Sequence, residues 1–174
     1  FRSSNASSPS ADTTAPTLGS AALSSTAIDL GKPEARRIAL TVTIQDDLSG
    51  FGYGSITFRS PSGAQSQFFS FSPFTFRSGN LLNGSFTASI ELNPYAEQGL
   101  WTVSSVNLQD KAGNSRFLDT LYSNLNSLLP GLASLSFQTS NAASPFADTT
   151  APTLGSAALS STAIDLSKPE ARRI

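Results

Sequence analysis

The amino-acid sequence predicts an all-β protein, an antiparallel β-sandwich that carries one short helix near the end of its repeating unit. Charged residues make up only 13% of the chain, so Ser, Thr, Asn and Gln must cover much of the surface, a composition typical of β structure. Hydrophobic residues reach 39% and include twelve Phe, which supports a packed core. Short segments of alternating apolar and polar residues are separated by Gly, Pro, Asn and Asp, as strands are separated by turns.

The alternating pattern is weak in the first predicted strand and clear in the second. Residues 12–30 contain Pro16 and short apolar pieces, which predicts an edge strand that is interrupted and resumes at residues 27–30. Residues 36–45 alternate most clearly, and their apolar members predict one buried face: Ile38, Leu40, Val42 and Ile44.

Three further strands are predicted between turn signals, at residues 55–60, 65–71 and 85–92. Each turn has the residues that favour it. An Asp- and Gly-rich stretch precedes the first strand, Pro61-Ser62-Gly63 precedes the second, and Asn83-Gly84 precedes the third.

The segment after residue 100 predicts a bulged strand and then a helix. Its apolar residues change phase halfway, and a bulge near Ser104 and Ser105 would bring them to one face: Trp101, Val103, Val106 and Leu108. Leucines at helical spacing from Leu118 to Leu129 predict a short helix, and residues 133–137 predict a last strand. This succession indicates a Greek-key, immunoglobulin-like topology.

One stretch of the chain occurs twice. Residues 12–30 return unchanged as residues 148–166, and residues 1–38 match residues 137–174 at an offset of 136 with five differences. A period of this kind is the signature of a tandem array. We therefore predict that residues 1–11 are the tail of a preceding repeat, residues 12–140 are a complete repeat, and residues 141–174 are a linker with the first strands of the next repeat.

The composition also argues against several classes of function. A net charge of -1 without a run of like charges predicts no binding to nucleic acid, and no apolar segment is long enough to predict membrane insertion. The chain has no Cys and no His, so it lacks disulfides, thiolate ligands and the usual general base. Its serines have no partner base, and we predict that the chain is not an enzyme.

Five motifs together resemble bacterial immunoglobulin-like repeats. They are D-T-T-A-P at Asp12, D-D-L-S-G at Asp46, S-P-S-G at Ser60, G-L-W-T-V at Gly99 and D-K-A-G-N at Asp110. Repeats of this kind occur in very large secreted or cell-surface proteins, including cyanobacterial proteins and adhesins. The resemblance covers most of residues 12–114 and implies an extracellular or cell-surface tandem repeat with structural or adhesive work, often stiffened by Ca2+.

The acidic turns predict an ion site. In an antiparallel sandwich, the start of the first strand and the loops at residues 46–54 and 110–114 lie at one end. Oxygen-bearing side chains would converge there: Asp12, Asp46, Asp47, Asp110 and Asn114. Ca2+ takes six to eight oxygen ligands, which such loops can supply. The same residue types also favour turns by bonding their own backbone, but two adjacent carboxylates call for a cation or full solvation.

Two groups of residues are predicted to take part in assembly. The Phe-rich hairpin has Phe on both faces, so it forms either a contact surface or a layer covered by another part of the chain. Its candidates are Phe69, Phe71, Phe74 and Phe76. The second copy of the repeat offers Asp148, Ile164 and Ile174, which would pair in the same chain or with a neighbouring subunit by strand addition.

These observations favour a structural repeat of an extracellular bacterial filament, sheath or surface adhesin. Repeats would be stacked head to tail, with other copies of the repeat as partners and Ca2+ at each junction. The alternative is a carbohydrate-binding or accessory module of a secreted protein, with a glycan or another surface target. An exposed aromatic cleft would favour the alternative, and contacts at the ends would favour the filament.

Overall fold

Two β-sheets face each other in the computed structural model, which describes residues 11–120, 125–141 and 150–158. The strands are β1 (Thr17–Leu23), β2 (Ala27–Asp29), β3 (Arg37–Gln45), β4 (Phe51–Arg59), β5 (Ser66–Phe71), β6 (Phe76–Gly79), β7 (Asn83–Glu91), β8 (Gly99–Asp110), β9 (Ser115–Asp119) and β10 (Ser136–Ser140). The short 3-10 helices are Pro33–Ala35, Pro73–Thr75, Leu125–Ser127 and Leu132–Ser134.

The strand order is that of an immunoglobulin-like Greek key. One sheet has the order β1-β3-β7-β6, and the other has the order β2-β10-β8-β4-β5, with β9 also paired to β8. The pairs are antiparallel except for β2 with β10 among the described strands. The interrupted first strand is confirmed, because β1 joins one sheet and β2 the other. The predicted all-β sandwich is therefore confirmed.

Alternation places the apolar residues between the sheets. The predicted face of β3 is wholly buried, as are Phe51, Phe86 and Trp101. The Trp101 ring stacks on Phe137 of the last strand at a centroid distance of 5.7 Å and an interplanar angle of 11°. Burying each such side chain contributes about 1.5–3 kcal/mol, so the apolar core to which these rings belong is a main source of stability in a chain without disulfides.

The predicted bulge in β8 is present. Thr57 pairs with Ser105 but the next residue, Phe58, pairs with Val103, so Ser104 is the extra residue. The shift returns the apolar residues on both sides of it to the core, where they are all at most 2% exposed.

The helical part near the end of the repeat is shorter than predicted. Leu118 lies in β9, where it packs against the core, and Leu125–Ser127 forms a single 3-10 turn. Residues 121–124 of the predicted helix lie outside the described residues. The last strand begins at Ser136, because Leu132–Ser134 forms another 3-10 turn. Among the described residues no helix has the length and hydropathy that a membrane span requires.

The chain enters and leaves the sandwich at opposite ends. Thr17, Gln45 and Asn83 are paired at one end of the first sheet, and Phe51 pairs with Asp110 at the same end of the second. We call this end the entry pole, because β1 begins there. The opposite end, where Gly99 pairs with Thr139 and β10 finishes, is the exit pole.

The described part of the second copy forms no strand. Residues 150–158 repeat residues 14–22 of the first copy, but they are exposed throughout and take no part in a sheet of this chain. The pairing of the second copy in an assembly stays a prediction.

Candidate metal site at the entry pole

Three carboxylates meet at the entry pole. Asp12 precedes β1, Asp46 follows β3, and Asp110 ends β8, and each offers an oxygen that lies within 4.8 Å of the others. The antiparallel order of the strands causes this convergence of residues that are far apart in sequence. The predicted meeting of these three side chains at one pole is therefore observed.

Asp46 has one satisfied oxygen and one unsatisfied oxygen. Its Oδ1 accepts hydrogen bonds from the backbone N–H of Leu48 at 3.2 Å and of Gly50 at 2.6 Å, which shapes the β3–β4 loop. Its Oδ2 is buried and has no hydrogen-bond partner. A buried carboxylate oxygen without a donor is costly, and a cation would remove that cost.

Asp12 ties the segment before β1 to the β3–β4 loop. Its Oδ2 accepts a hydrogen bond from the Ser49 N–H at 2.8 Å, and its Oδ1 accepts one from the Thr14 N–H at 3.1 Å. Hydrogen bonds from the Ser49 side chain and the Thr14 backbone lower the pKa of Asp12 below its usual value. The group is therefore ionised at neutral pH, as a metal ligand must be.

Asn114 connects the other two carboxylates. Asp110, which is 3% exposed, accepts hydrogen bonds from the backbone N–H of Asn114 at 2.8 Å and from its Nδ2 at 2.6 Å. The same Nδ2 lies 3.3 Å from Oδ1 of Asp12 and 3.1 Å from its carbonyl oxygen. The amide thus donates to the cluster. Rotation of the amide group by 180° about the Cβ–Cγ bond would present Oδ1 to a cation instead.

Asp47 lies outside the group of converging carboxylates, so its predicted role as a ligand stays a prediction. Its side chain is exposed, and the group of converging carboxylates does not include it. The reason is local, since Asp46 turns inward to bond the loop backbone and its neighbour faces solvent. Asp47 instead borders a shallow cavity of about 230 Å³ that also reaches Asp46 and Thr14.

Among the residues that the structure describes, no salt bridge joins a basic side chain to the three carboxylates. The salt bridges among the described residues join Lys32 to Asp29 at 3.3 Å and Arg36 to Glu91 at 3.6 Å, and both lie away from the cluster. Two like charges 4 Å apart repel by about 4 kcal/mol at an effective dielectric constant near 20. The donor set contains only oxygens, which fits Ca2+ and does not fit soft metals.

Most of the predicted Phe residues of the Phe-rich hairpin are internal, which favours a layer covered by the chain over a contact surface. Phe69 and Phe71 are at most 1% exposed, and Phe76 is half-buried against Phe86 at a centroid distance of 5.7 Å. The connection after β5 crosses to the opposite sheet, so Phe76 on β6 packs against the core from that sheet, whereas Phe68 on β5 is exposed. Among the predicted residues Phe74 is the exception at 97% exposed. The other predicted assembly residues lie outside the described residues: Asp148, Ile164 and Ile174.

The fold and the cluster define an immunoglobulin-like β-sandwich domain with an acidic entry pole. The chain belongs to a family described as a domain of unknown function, DUF7035, whose model matches residues 11–149. The matched range contains all the described strands. No curated protein matches the chain.

Proposed function

We propose that the domain is a structural unit of an extracellular tandem array or surface adhesin, in which Ca2+ at the entry pole stiffens each junction. The observation that carries the proposal is the position of Asp12. It belongs to the segment that leads into the sandwich, yet it meets Asp46 and Asp110 from two loops. A cation shared by these three groups would fix the direction from which the chain enters.

The opposite poles support a head-to-tail arrangement. The exit strand is fastened at its end, because Asn141 donates from its backbone N–H to Gln98 Oε1 at 3.0 Å and from its Nδ2 to the Pro94 carbonyl at 3.3 Å. The sequence of the entry segment, including its aspartate, recurs at an offset of 136. Units joined in this way extend along one axis and do not fold back on each other.

Calcium titration calorimetry on the full chain tests the ion site. We expect Asp46→Asn to weaken Ca2+ binding at least tenfold, because it removes a charge but keeps an acceptor for the loop N–H groups. Asp47→Asn is the matched control, since it removes an adjacent charge outside the cluster, and it should bind as the wild type does. Equal losses in both variants, or no Ca2+ binding by the wild type, would contradict the proposal.

Thermal melting gives a second test, because the difference in melting temperature between Asp46→Asn and the wild type should change sign when Ca2+ is added. Without Ca2+, Asp46→Asn should melt higher than the wild type, because one repelling charge is gone. At a Ca2+ concentration a hundred times the dissociation constant, the wild type should gain about 2.7 kcal/mol. This corresponds to roughly 10 °C for a domain of this size. The variant should not show this gain.

A further inference from the structure

The outer face of the larger sheet carries a groove between the two poles. Phe68 on β5 pairs with Thr57 on β4, Thr57 pairs with Ser105 on β8, and Ser105 pairs with Asp119 on β9. Paired residues point to the same side of a sheet, so this row crosses one face. The groove along it has a volume of about 270 Å³, close to the lower limit of small-molecule sites.

Two exposed aromatic rings form the walls of the groove. Phe68 is 59% exposed on one edge strand, and Phe117 is 62% exposed on the strand at the other side. Three strand spacings separate these strands, which is about 14 Å. The two exposed rings therefore flank one polar floor within the same groove.

Hydroxyl groups form the floor. Thr57, Ser66, Ser104 and Ser105 all line the groove. The bulge explains why two consecutive serines face the same space, since Val103 and Val106 both face the core and the extra residue leaves Ser104 and Ser105 together between them. Strand irregularities of this kind are frequent beside functional sites because they redirect side chains.

The charged residues of the groove and the pairing of its strands argue against two classes of ligand. Arg59 and Asp119 also line the groove, so its charges balance and no anionic ligand is favoured. The backbones of β4 and β8 are paired on both sides beneath it, so a peptide cannot add there as a strand. The apolar rings and the hydroxyl floor favour a neutral molecule with apolar faces and a rim of hydroxyls.

We propose that this groove binds a short neutral oligosaccharide. The C–H faces of the sugar rings would lie against Phe68 and Phe117, and the sugar hydroxyls would exchange hydrogen bonds with the Ser and Thr side chains of the floor. The site is separate from the carboxylate cluster, so it adds an adhesive capacity that does not depend on Ca2+ at the entry pole.

Titration of the full chain with cellohexaose, chitohexaose and mannohexaose, followed by calorimetry and NMR, tests the site. We expect at least one of these sugars to bind, and Phe68→Ala and Phe117→Ala each to weaken that binding about tenfold. Phe74→Ala is the matched control, because it removes an even more exposed Phe ring that lies outside the groove. Both wall residues are exposed, so we expect the variants to melt as the wild type does.

The outcomes separate this site from the proposed function. Sugar binding that persists with a chelator and in Asp46→Asn supports the groove even if Ca2+ does not bind. The proposal is overturned if none of the three sugars binds at millimolar concentration, or if Phe74→Ala weakens binding as much as the wall variants. It is also overturned if Phe68→Ala abolishes self-association of the wild type, because the groove would then be a contact between copies.

Discussion

Glu97 is the residue that holds the loops of the exit pole together. Its carboxylate accepts hydrogen bonds from the N–H of Ser62 at 2.9 Å and from the hydroxyl of Ser62 at 2.6 Å. Its carbonyl oxygen accepts hydrogen bonds from Nε1 of Trp101 at 3.0 Å and from the hydroxyl of Thr139 at 2.7 Å. One residue thus connects the β4–β5 turn, strand β8 and the last strand.

The pKa of Glu97 makes this connection pH-dependent. Burial of the carboxyl group by itself would raise the pKa, but the hydrogen bonds from Ser62 and Ser60 outweigh burial and lower it below the usual 4.5. The unfolded chain therefore binds the proton more tightly than the folded one. The stabilisation is present above about pH 4.5 and is lost as the pH falls through the lower folded pKa.

We predict that Glu97→Gln melts a few degrees below the wild type at pH 7 and that this difference narrows below about pH 4.5, where the wild-type carboxyl group becomes protonated. Melting temperatures measured from pH 3 to pH 7 check the prediction. Glu34→Gln removes an exposed carboxylate on a 3-10 helix and serves as the control. A constant difference at every pH would show that packing, and not ionisation, accounts for the effect.

Adjacent residues show what the sequence could not decide at the metal site. The pattern Asp46-Asp47 indicated a site at this loop, and Asp12, Asp46 and Asp110 do converge there. Composition and spacing do not say which of two neighbouring carboxylates turns inward. That choice depends on the hydrogen bonds from Leu48 and Gly50, which exist only once the loop is folded.

At the scale of elements, strand β10 depends on one buried hydroxyl. Thr139 is 1% exposed, and its Oγ1 donates to the Glu97 carbonyl and accepts hydrogen bonds from the Gly99 N–H at 3.1 Å and from Nε1 of Trp101 at 3.2 Å. The hydroxyl therefore joins the last strand to the start of β8. Strand β10 in turn holds β2 through a parallel pairing.

We predict that Thr139→Val lowers the free energy of unfolding by about 1–3 kcal/mol, because a methyl group of similar size leaves the Gly99 N–H without its acceptor and removes the hydroxyl that donates to the Glu97 carbonyl. Urea unfolding followed by tryptophan fluorescence measures the change. Thr102→Val, on the exposed face of β8, is the matched control and should change stability by less than about 0.5 kcal/mol. An equal effect in both variants would contradict the role of the buried hydroxyl.

The elements also show where pattern reasoning succeeds and where it fails. Strand β3 and the bulge in β8 were predictable, because β3 and β8 each bury one face. The apolar residues therefore alternate with polar ones in the sequence, and a change of phase marks the bulge. Strand β9 was not predicted, and a helix was predicted from Leu118 onward. The apolar Phe117 faces solvent, and Leu118 also fits helical spacing. The Phe-rich hairpin was ambiguous for a related reason. Of the Phe residues on its second face, Phe76 packs against the core after the chain crosses to the other sheet, whereas Phe68 and Phe74 are exposed.

At the scale of the whole molecule, the described domain receives the chain at one pole, where β1 begins, and releases it at the other, where β10 finishes. The longest strand, β8, runs from the exit pole to the entry pole and contains 12 residues. At about 3.3 Å per residue it spans roughly 40 Å. Each unit of an array should therefore add at least this length along the axis, provided that the junction is stiff.

A chain of three consecutive copies of residues 12–147 would test the hypothesis that Ca2+ stiffens the junction between units. We predict a maximum dimension of at least about 120 Å by small-angle scattering in Ca2+, because each unit contributes about 40 Å along one axis. In chelator the uncompensated carboxylates repel one another and release the entry segment, so the mean length should fall and the distribution should broaden. The control is the same chain with Asp46→Asn in every copy. Its maximum dimension should be the same in Ca2+ and in chelator. If the wild-type array keeps one length with and without Ca2+, the ion does not stiffen the junction, and the strand packing alone must set its angle.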